Sequence, residues 1–394
     1  MKNVFPKDFL FGVSLSAYQN EGWNYNCDWW YYERNKKPGS EYPIEECGIS
    51  NDFWNRYKED IDLVVELNST VVRLGVEWSR IEPREGFFDE EAIFHYKEIF
   101  HYAKSKKLKI FLTLHHFTNP LWFMEHGGFF SKKSAMFFSR YAQKCVSEFK
   151  DYIDFFITFN EPENMSYCGF VTGHWPPFEN GKYFKMLSHL SSLQQSHIKA
   201  YKDIHKKYNV KVGIVTNILS FCPQNKSITT IFVSNFLAVL SEKITLWRIR
   251  KYIDFIGLNF YFCYQVNGFN ITNNVEPKSD MGWLLDPGAI RNVLKSLKKY
   301  RKDIYITENG LADESDEKRP WYLTSILENV LKSIYIDKVK VRGYMHWTLT
   351  DNFEWEYGFK YKFGLVEINR NKLLKRIKRK SFDIYKMICK TKRI

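Results

Sequence analysis

Short apolar runs rich in β-branched and aromatic residues alternate along the chain with longer segments of helical periodicity. Two of the longer segments, 53–67 and 137–150, space their apolar residues as amphipathic helices do. The short runs are apolar on both faces, which is typical of buried parallel strands. Their recurrence, with room for a loop and a helix in each gap, predicts a single (β/α)8 barrel over residues 1–394. The predicted strands are Phe9–Leu15, Val71–Val76, Ile110–Leu114, Phe155–Phe159, Val212–Thr216, Phe255–Asn259, Ile304–Thr307 and Gly343–Trp347.

Composition places the chain among soluble globular proteins. It has 394 residues, of which 44% are hydrophobic and 26% charged, while aromatic residues reach 18%. Such an aromatic share favours a large packed interior or an aromatic-lined cleft. We see no run that approaches the ~18 apolar residues of a membrane span, and the first residues lack the apolar stretch of a signal peptide. We therefore expect a cytoplasmic protein without a membrane partner.

The seven cysteines are scattered and form no C-x-x-C pair. This distribution argues against a disulfide framework and against a zinc site, so we expect reduced, mostly buried thiols and no metal.

The net charge of +13 is concentrated at the C-terminus. Residues 370–394 contain eleven Lys and Arg against one Asp, a net of +10 (eleven minus one). Apolar residues recur there at mostly helical intervals, which predicts a basic amphipathic C-terminal helix at about 373–394. A solvated basic face is the favoured interpretation, with a subunit contact or an anionic surface as alternatives. Because the excess is confined to this segment, we do not expect nucleic acid as the main partner.

Polar residues recur where the predicted strands end. In barrels of this type, the carboxyl ends of the strands carry the active site. Glu161 follows the fourth predicted strand and Glu308 follows the seventh, so the two carboxyl groups would face each other across the barrel. Paired carboxylates in that position suit glycoside hydrolysis. Taken singly, Glu161 could be a turn residue and Glu308 an anion at a helix N-terminus.

Several motifs decide between these alternatives by resemblance. Residues 158–162 (TFNEP) and 306–310 (ITENG) resemble the two active-site signatures of glycoside hydrolase family 1. The segments 5–19, 78–81, 254–261 and 346–359 resemble further motifs of that family, in the same order. The segments 28–30, 76–78 and 116–122 look most like its archaeal branch.

The resemblance implies a retaining β-glycosidase that uses two glutamates. By similarity, Glu308 is the nucleophile and Glu161 the general acid/base, while Arg73 and Tyr261 support the nucleophile. His115 is expected to be a packing residue. The positions that match the family's sugar-binding set are Gln19, His116, Asn160, Trp347, Glu354 and Trp355.

The same resemblance implies the substrate class. It indicates hydrolysis of terminal β-D-glucosyl or β-D-galactosyl residues from small β-glycosides or oligosaccharides, without a cofactor. An acidic Glu354 disfavours 6-phosphorylated sugars. The chain is short for the family, and the shortening falls in the loops after strands four to six, including residues 225–251. The identity of the leaving group is therefore the property that transfers least from the family to this chain. A transglycosylase, a non-catalytic sugar-binding protein and a homo-oligomer stay open as alternatives.

Overall fold

The computed structural model describes residues 3–35, 45–272 and 275–394. In these ranges the strands are β1 Leu10–Ser14, β2 Val71–Gly75, β3 Lys109–Thr113, β4 Phe155–Asn160, β5 Val212–Asn217, β6 Ser220–Pro223, β7 Phe255–Asn259, β8 Cys263–Asn267, β9 Asn270–Thr272, β10 Asp303–Asn309, β11 Val341–Trp347, β12 Val366–Asn369 and β13 Lys375–Lys378. The α-helices are α1 Ala17–Glu21, α2 Asp28–Arg34, α3 Phe53–Glu66, α4 Trp78–Ile81, α5 Glu90–Ser105, α6 Leu121–Glu125, α7 Ser134–Phe149, α8 Pro162–Phe170, α9 Tyr183–His205, α10 Ile228–Leu246, α11 Ala289–Leu297, α12 Arg319–Tyr335 and α13 Lys380–Thr391.

Eight parallel strands close into a barrel. Their order around it is β1-β11-β10-β7-β5-β4-β3-β2, and the first strand closes against the last through the register of Gly12 with Val71. All eight strands expected from the apolar runs are confirmed, with ends that differ by only a few residues. The two helices expected at 53–67 and 137–150 are present as α3 and α7. The predicted (β/α)8 barrel is therefore confirmed.

Aromatic rings fill the barrel at the amino ends of its strands. Phe111, Phe155, Phe255 and Tyr305 lie in one buried cluster, and the first two stack with ring centroids 4.1 Å apart. Each of these residues is among the first three of its strand. Because these rings occupy the lower half of the interior, space for a ligand remains only at the carboxyl ends of the strands.

A three-stranded sheet of β6, β8 and β9 lies outside the barrel and contains a disulfide. Its strands β6 and β8 pair in parallel, with Ser220 opposite Cys263, and this pairing brings Cys222 and Cys263 into a disulfide bond. The expectation that all cysteines are reduced is therefore wrong for these two. The sequence does not reveal the pairing because the two residues are 41 positions apart. The five other cysteines are free thiols.

Helix α10 departs from the expectation drawn from hydropathy. An 18-residue window of this 19-residue helix has a mean hydropathy of 1.2, and only 22% of that window is buried in the protein. It is the one helix of the described ranges that is long and apolar enough to cross a membrane. The statement that no run approaches a membrane span is therefore wrong for this segment. The expectation of a cytoplasmic protein stays a prediction.

The C-terminal helix is shorter than predicted. It begins at Lys380 instead of Leu373, because Lys375–Lys378 pairs as β13 with β12. Leu373 and Leu374 both have positive φ angles, which ends any helical continuation. Several basic residues of the tail are buried instead of solvated. Arg376 forms an ion pair with Asp60 at 2.9 Å, and Arg379 forms one with Asp351 at 2.8 Å.

We predict that the Arg376–Asp60 ion pair holds the C-terminal segment on the barrel. Both side chains are almost completely buried, at 3% and 1% exposure. Arg376→Met leaves the Asp60 carboxylate without its cation, so we expect the free energy of unfolding to fall by about 3–5 kcal/mol. Urea unfolding measures it, with Lys375→Met, at an exposed position of the same strand, as the matched control. An equal, small effect of both substitutions would contradict the prediction.

Candidate active site

A cleft opens at the carboxyl ends of the barrel strands. Its volume is about 650 Å³, and it is lined by strand ends and by the loops that follow them. Arg73 lies behind the lining, where its guanidinium contacts Glu308. The other residues predicted for the site all lie in the cleft wall: Gln19, His116, Asn160, Glu161, Tyr261, Glu308, Trp347, Glu354 and Trp355.

Glu308 is held by a cation and a phenol. It lies near the end of β10, and its Oε1 accepts a short hydrogen bond from Arg73 within a buried ion pair. The hydroxyl of Tyr261 donates to Oε2 at 2.5 Å. Burial and the neighbouring Glu308 charge raise the pKa of Tyr261 well above its ordinary value, so the phenol keeps its proton. Both oxygens of Glu308 are thus bound, and its carboxylate is fixed in orientation.

Glu161 has different partners. It follows β4 and caps α8 with a left-handed backbone, φ 41°. Amide groups of Asn259 and Asn164 donate to its two oxygens at 2.6 and 3.1 Å. Burial, reinforced by the charges of Glu308 and Glu163, raises the pKa of Glu161 to about 8. At neutral pH its carboxyl group therefore carries a proton.

Side-chain amides connect the two glutamates. Asn160 accepts from Arg73 at 2.8 Å and from Asn259 at 3.1 Å. The side-chain carbonyl oxygen of Asn259 in turn accepts a hydrogen bond from the Thr307 hydroxyl at 2.8 Å. Sequence reasoning noted Asn259 at a strand end without assigning it a role. Its contact with Glu161 depends on the lateral neighbours β7 and β5 of the barrel, which sequence spacing does not show.

An aromatic wall borders the cleft beside these residues. Trp347 and Trp355 lie nearly parallel to the His116 ring, with centroid distances of 6.1 and 5.9 Å. Burial and the charge of Arg73 lower the pKa of His116 well below its ordinary value, so the imidazole is neutral. The residue predicted only to pack, His115, is buried and hydrogen-bonded to Asn119 at 3.0 Å.

Three buried polar atoms on the cleft wall have no partner among the described residues. They are Nδ1 of His116, Oε2 of Glu163 and Oε2 of Glu354. Burial and the neighbouring Glu356 raise the pKa of Glu354 well above its ordinary value. Close by, Gln19 donates to the Phe353 carbonyl at 2.7 Å. Because buried polar groups are normally hydrogen-bonded, unpaired ones at a cleft wall suit a ligand that brings hydroxyl groups.

The described cleft lining is acidic. It contains no Lys or Arg, but it contains the glutamates at 161, 163, 308, 354 and 356. One group elsewhere in the described ranges has metal-ligand spacing, namely Cys222, Cys263 and Asp286. The disulfide removes both thiolates from that group, so it does not fit a metal.

Comparison with known proteins shows the family. The family model described as Glycosyl hydrolase family 1 matches residues 1–235 and 236–394. The chain belongs to glycosyl hydrolase family 1. The resemblance inferred from the motifs is therefore confirmed.

Relatives within glycosyl hydrolase family 1 include archaeal and plant proteins. The chain is 28% identical to a beta-galactosidase of Saccharolobus solfataricus, over 93% of this chain and 91% of the relative. It is 30% identical to a chloroplastic galactolipid galactosyltransferase of Arabidopsis thaliana, over 87% of this chain and 58% of that longer protein. The structure of a beta-glycosidase from Pyrococcus horikoshii covers all of this chain and 96% of its own, with a TM-score of 0.89 and 33% identity. The chain is therefore a family 1 β-glycosidase.

We predict that the protonated Glu161 makes stability depend on pH. The folded protein retains this proton up to about pH 8, whereas an ordinary glutamate releases it near pH 4.5, so stability is lost between these values. Glu161→Gln removes that loss. The variant should melt at a higher temperature than the wild type at about pH 7.5 and at a similar temperature at about pH 4. Between these values, the difference in the free energy of unfolding should grow by at most about 1.4 kcal/mol for each pH unit. An equal shift at both pH values would contradict the raised pKa.

Proposed function

We propose that the chain is a retaining β-glycosidase that removes a terminal β-D-glucosyl or β-D-galactosyl residue from non-phosphorylated β-glycosides. The observation that supports it most is the contrast between the two glutamates. Glu308 forms a buried ion pair with Arg73, and Tyr261 orients it. Glu161 is bound by neutral amides and has a pKa raised to about 8. One group is thus suited to attack and the other to donate a proton.

The reaction proceeds in two displacements. The Glu308 carboxylate attacks the anomeric carbon, the bond to the leaving oxygen breaks, and Glu161 gives its proton to that oxygen. Glu161, now ionised, removes a proton from water, and the water oxygen displaces Glu308 from the anomeric carbon. The product sugar keeps its β configuration. Arg73 neutralises the Glu308 charge before attack and after release.

The remaining cleft residues suit a neutral pyranose. The Trp347 ring provides an apolar platform, and the unpaired His116 Nδ1 and Glu354 Oε2 can bind hydroxyl groups. Asn160 is fixed by Arg73 and Asn259, which positions its amide for a hydroxyl next to the reacting carbon. The lining has no lysine or arginine among the described residues, so it offers no cation to bind the phosphate of a phosphorylated sugar.

A mechanism-based inhibitor tests the assignment of Glu308. We expect 2-deoxy-2-fluoro-β-glucosyl fluoride to form a stable adduct on Glu308, because the fluorine slows both steps and the fluoride still leaves. Peptide mass spectrometry locates the modified residue.

The matched control is Glu308→Gln, which should give no adduct and should lose about 10³-fold or more in kcat on an aryl β-glycoside. An adduct on another residue would overturn the assignment. Turnover of the aryl β-glycoside with inversion at the anomeric carbon would overturn the retaining mechanism.

Transglycosylation is the second candidate. It uses the same covalent intermediate, with a sugar hydroxyl replacing water in the second step. The name of one relative, a galactosyltransferase at 30% identity, favours it.

We predict that a high concentration of methyl α-D-glucoside, which a β-glycosidase does not hydrolyse, lowers the ratio of free glucose to nitrophenol released from 4-nitrophenyl β-D-glucoside. The physical reason is that the acceptor hydroxyl then competes with water for the glycosyl-enzyme, and Glu161 activates whichever of the two attacks. Product analysis by mass spectrometry should show the methyl disaccharide. A ratio that stays at one, with no transfer product, would exclude this candidate.

A further inference from the structure

The outer side of α10 is an exposed apolar surface. Its exposed apolar side chains recur at helical spacing, and only Thr229, Asn235 and Lys243 interrupt them. Phe232 and Phe236 are 66% and 56% exposed. We call this surface the α10 face and define it as Ile228, Ile231, Phe232, Phe236, Val239 and Leu240. A surface helix of a globular protein ordinarily presents polar residues on this side.

Positive charge and aromatic rings border the α10 face. Lys226 and Lys243 are exposed along it, and Arg248 follows its end. The acidic residue of the segment, Glu242, is buried and paired with Lys299. Trp247 is exposed at the end of the helix, where the Arg250 guanidinium lies 3.7 Å from its ring centroid. An apolar surface bordered by Lys, Arg and Trp is complementary to the interface of an anionic lipid bilayer.

Neighbouring elements extend the α10 face. The backbone N–H of Gly268, in the β8–β9 turn, donates to Thr230 of α10 at 2.8 Å, which places the exposed ring of Phe269 beside the start of the helix. On the other side, Gln194 of α9 donates to the Ile244 carbonyl at 2.8 Å. Phe184, in the first turn of α9, is 90% exposed.

The α10 face is continuous with the active-site cleft. Leu237, Leu240 and Ile244 line the cleft from α10. Leu240 belongs both to the cleft lining and to the exposed face. Ile271 of β9 likewise lines the cleft and is exposed. An apolar path therefore leads from the cleft, beyond its acidic sugar end, to the protein surface.

We propose that the α10 face docks on an anionic lipid bilayer and that the leaving group is a lipid alcohol, so that the enzyme acts on β-glycosyl lipids in that bilayer. This proposal rests on the proposed function. The Glu308 carboxylate forms the bond to the anomeric carbon, the bond from that carbon to the lipid oxygen breaks, and Glu161 protonates the oxygen. The lipid alcohol stays in the bilayer, and water then releases the sugar.

Docking in the plane of the bilayer fits the connections of α10 better than a span. The chain enters it from β6, in the sheet beside the barrel, and leaves it towards the barrel strand β7, so both helix ends are tied to the folded protein. A helix in this position can bury one side in the lipid interface while its other side stays on the protein. A bilayer also explains why the apolar surface adjoins the cleft, since the sugar must enter the cleft while its lipid remains embedded.

The test compares a double variant, Phe232→Asp with Phe236→Asp, with the matched control Phe94→Asp. Phe94 is 63% exposed on α5 and lies outside the α10 face. Three quantities are measured: co-sedimentation with vesicles of phosphatidylcholine and phosphatidylglycerol, hydrolysis of β-glucosyl diacylglycerol in those vesicles, and hydrolysis of soluble 4-nitrophenyl β-D-glucoside. We expect the double variant to lose about tenfold or more in the first two and to keep the third, while the control matches the wild type.

Other outcomes separate the proposals. The lipid proposal alone would be overturned if the wild type hydrolyses the soluble glycoside but does not bind vesicles. Equal hydrolysis of the glycolipid by the wild type and the double variant would also overturn it. A wild-type dimer in sedimentation that the double variant abolishes, without vesicle binding, would assign the α10 face to a second copy and overturn it as well. Loss of every hydrolytic activity in the wild type would refute the proposed function and, with it, the lipid substrate.

Discussion

The buried contact between Arg73 and Glu308 is the interaction on which the rest of the site depends. An unpaired carboxylate or guanidinium at this depth is strongly unfavourable, so each requires the other. Arg73 also donates to Thr113 at 2.9 Å and to Asn160 at 2.8 Å. One guanidinium thereby joins β2, β3, β4 and β10 at their carboxyl ends. The same guanidinium therefore ties four strand ends together and fixes the orientation of the Glu308 carboxylate.

The proton on Glu161 follows from the same arrangement. Arg73 contacts Glu308 and Asn160, so Glu161 receives only the neutral donors Asn259 and Asn164. Burial and the repulsion from Glu308 then raise the pKa of Glu161 to about 8. Two chemically identical side chains thus have different partners, because the cation contacts only one of them. Exchanging their roles would require moving Arg73, which three polar contacts prevent.

The sequence predicted those features that local pattern determines. Apolar runs located all eight barrel strands, since strands covered on both sides are apolar throughout. The motifs located the two glutamates, because each glutamate lies in a short segment at the carboxyl end of a strand. The Asn259–Glu161 contact was not predicted, since it depends on lateral neighbours. The apolar residues on both sides of Arg376 recur at helical intervals, which predicted a helix there. The ion pair of Arg376 with Asp60 and the pairing of β13 with β12 instead place this segment in a strand. In α10, serine, threonine and asparagine interrupt the apolar run and concealed its exposed face.

The two ends of the cleft are built from different parts of the fold. The sugar end is formed by rigid strand ends, whose side chains are fixed by the Arg73 contacts. The outer end is lined by residues of α10, α9, β8 and β9, which lie outside the barrel wall. Substitutions in these outer elements leave Glu161 and Glu308 in place. A family can therefore retain one reaction while its members differ in the alcohol they release, and our lipid proposal assigns that choice, in this chain, to the apolar surface of α10.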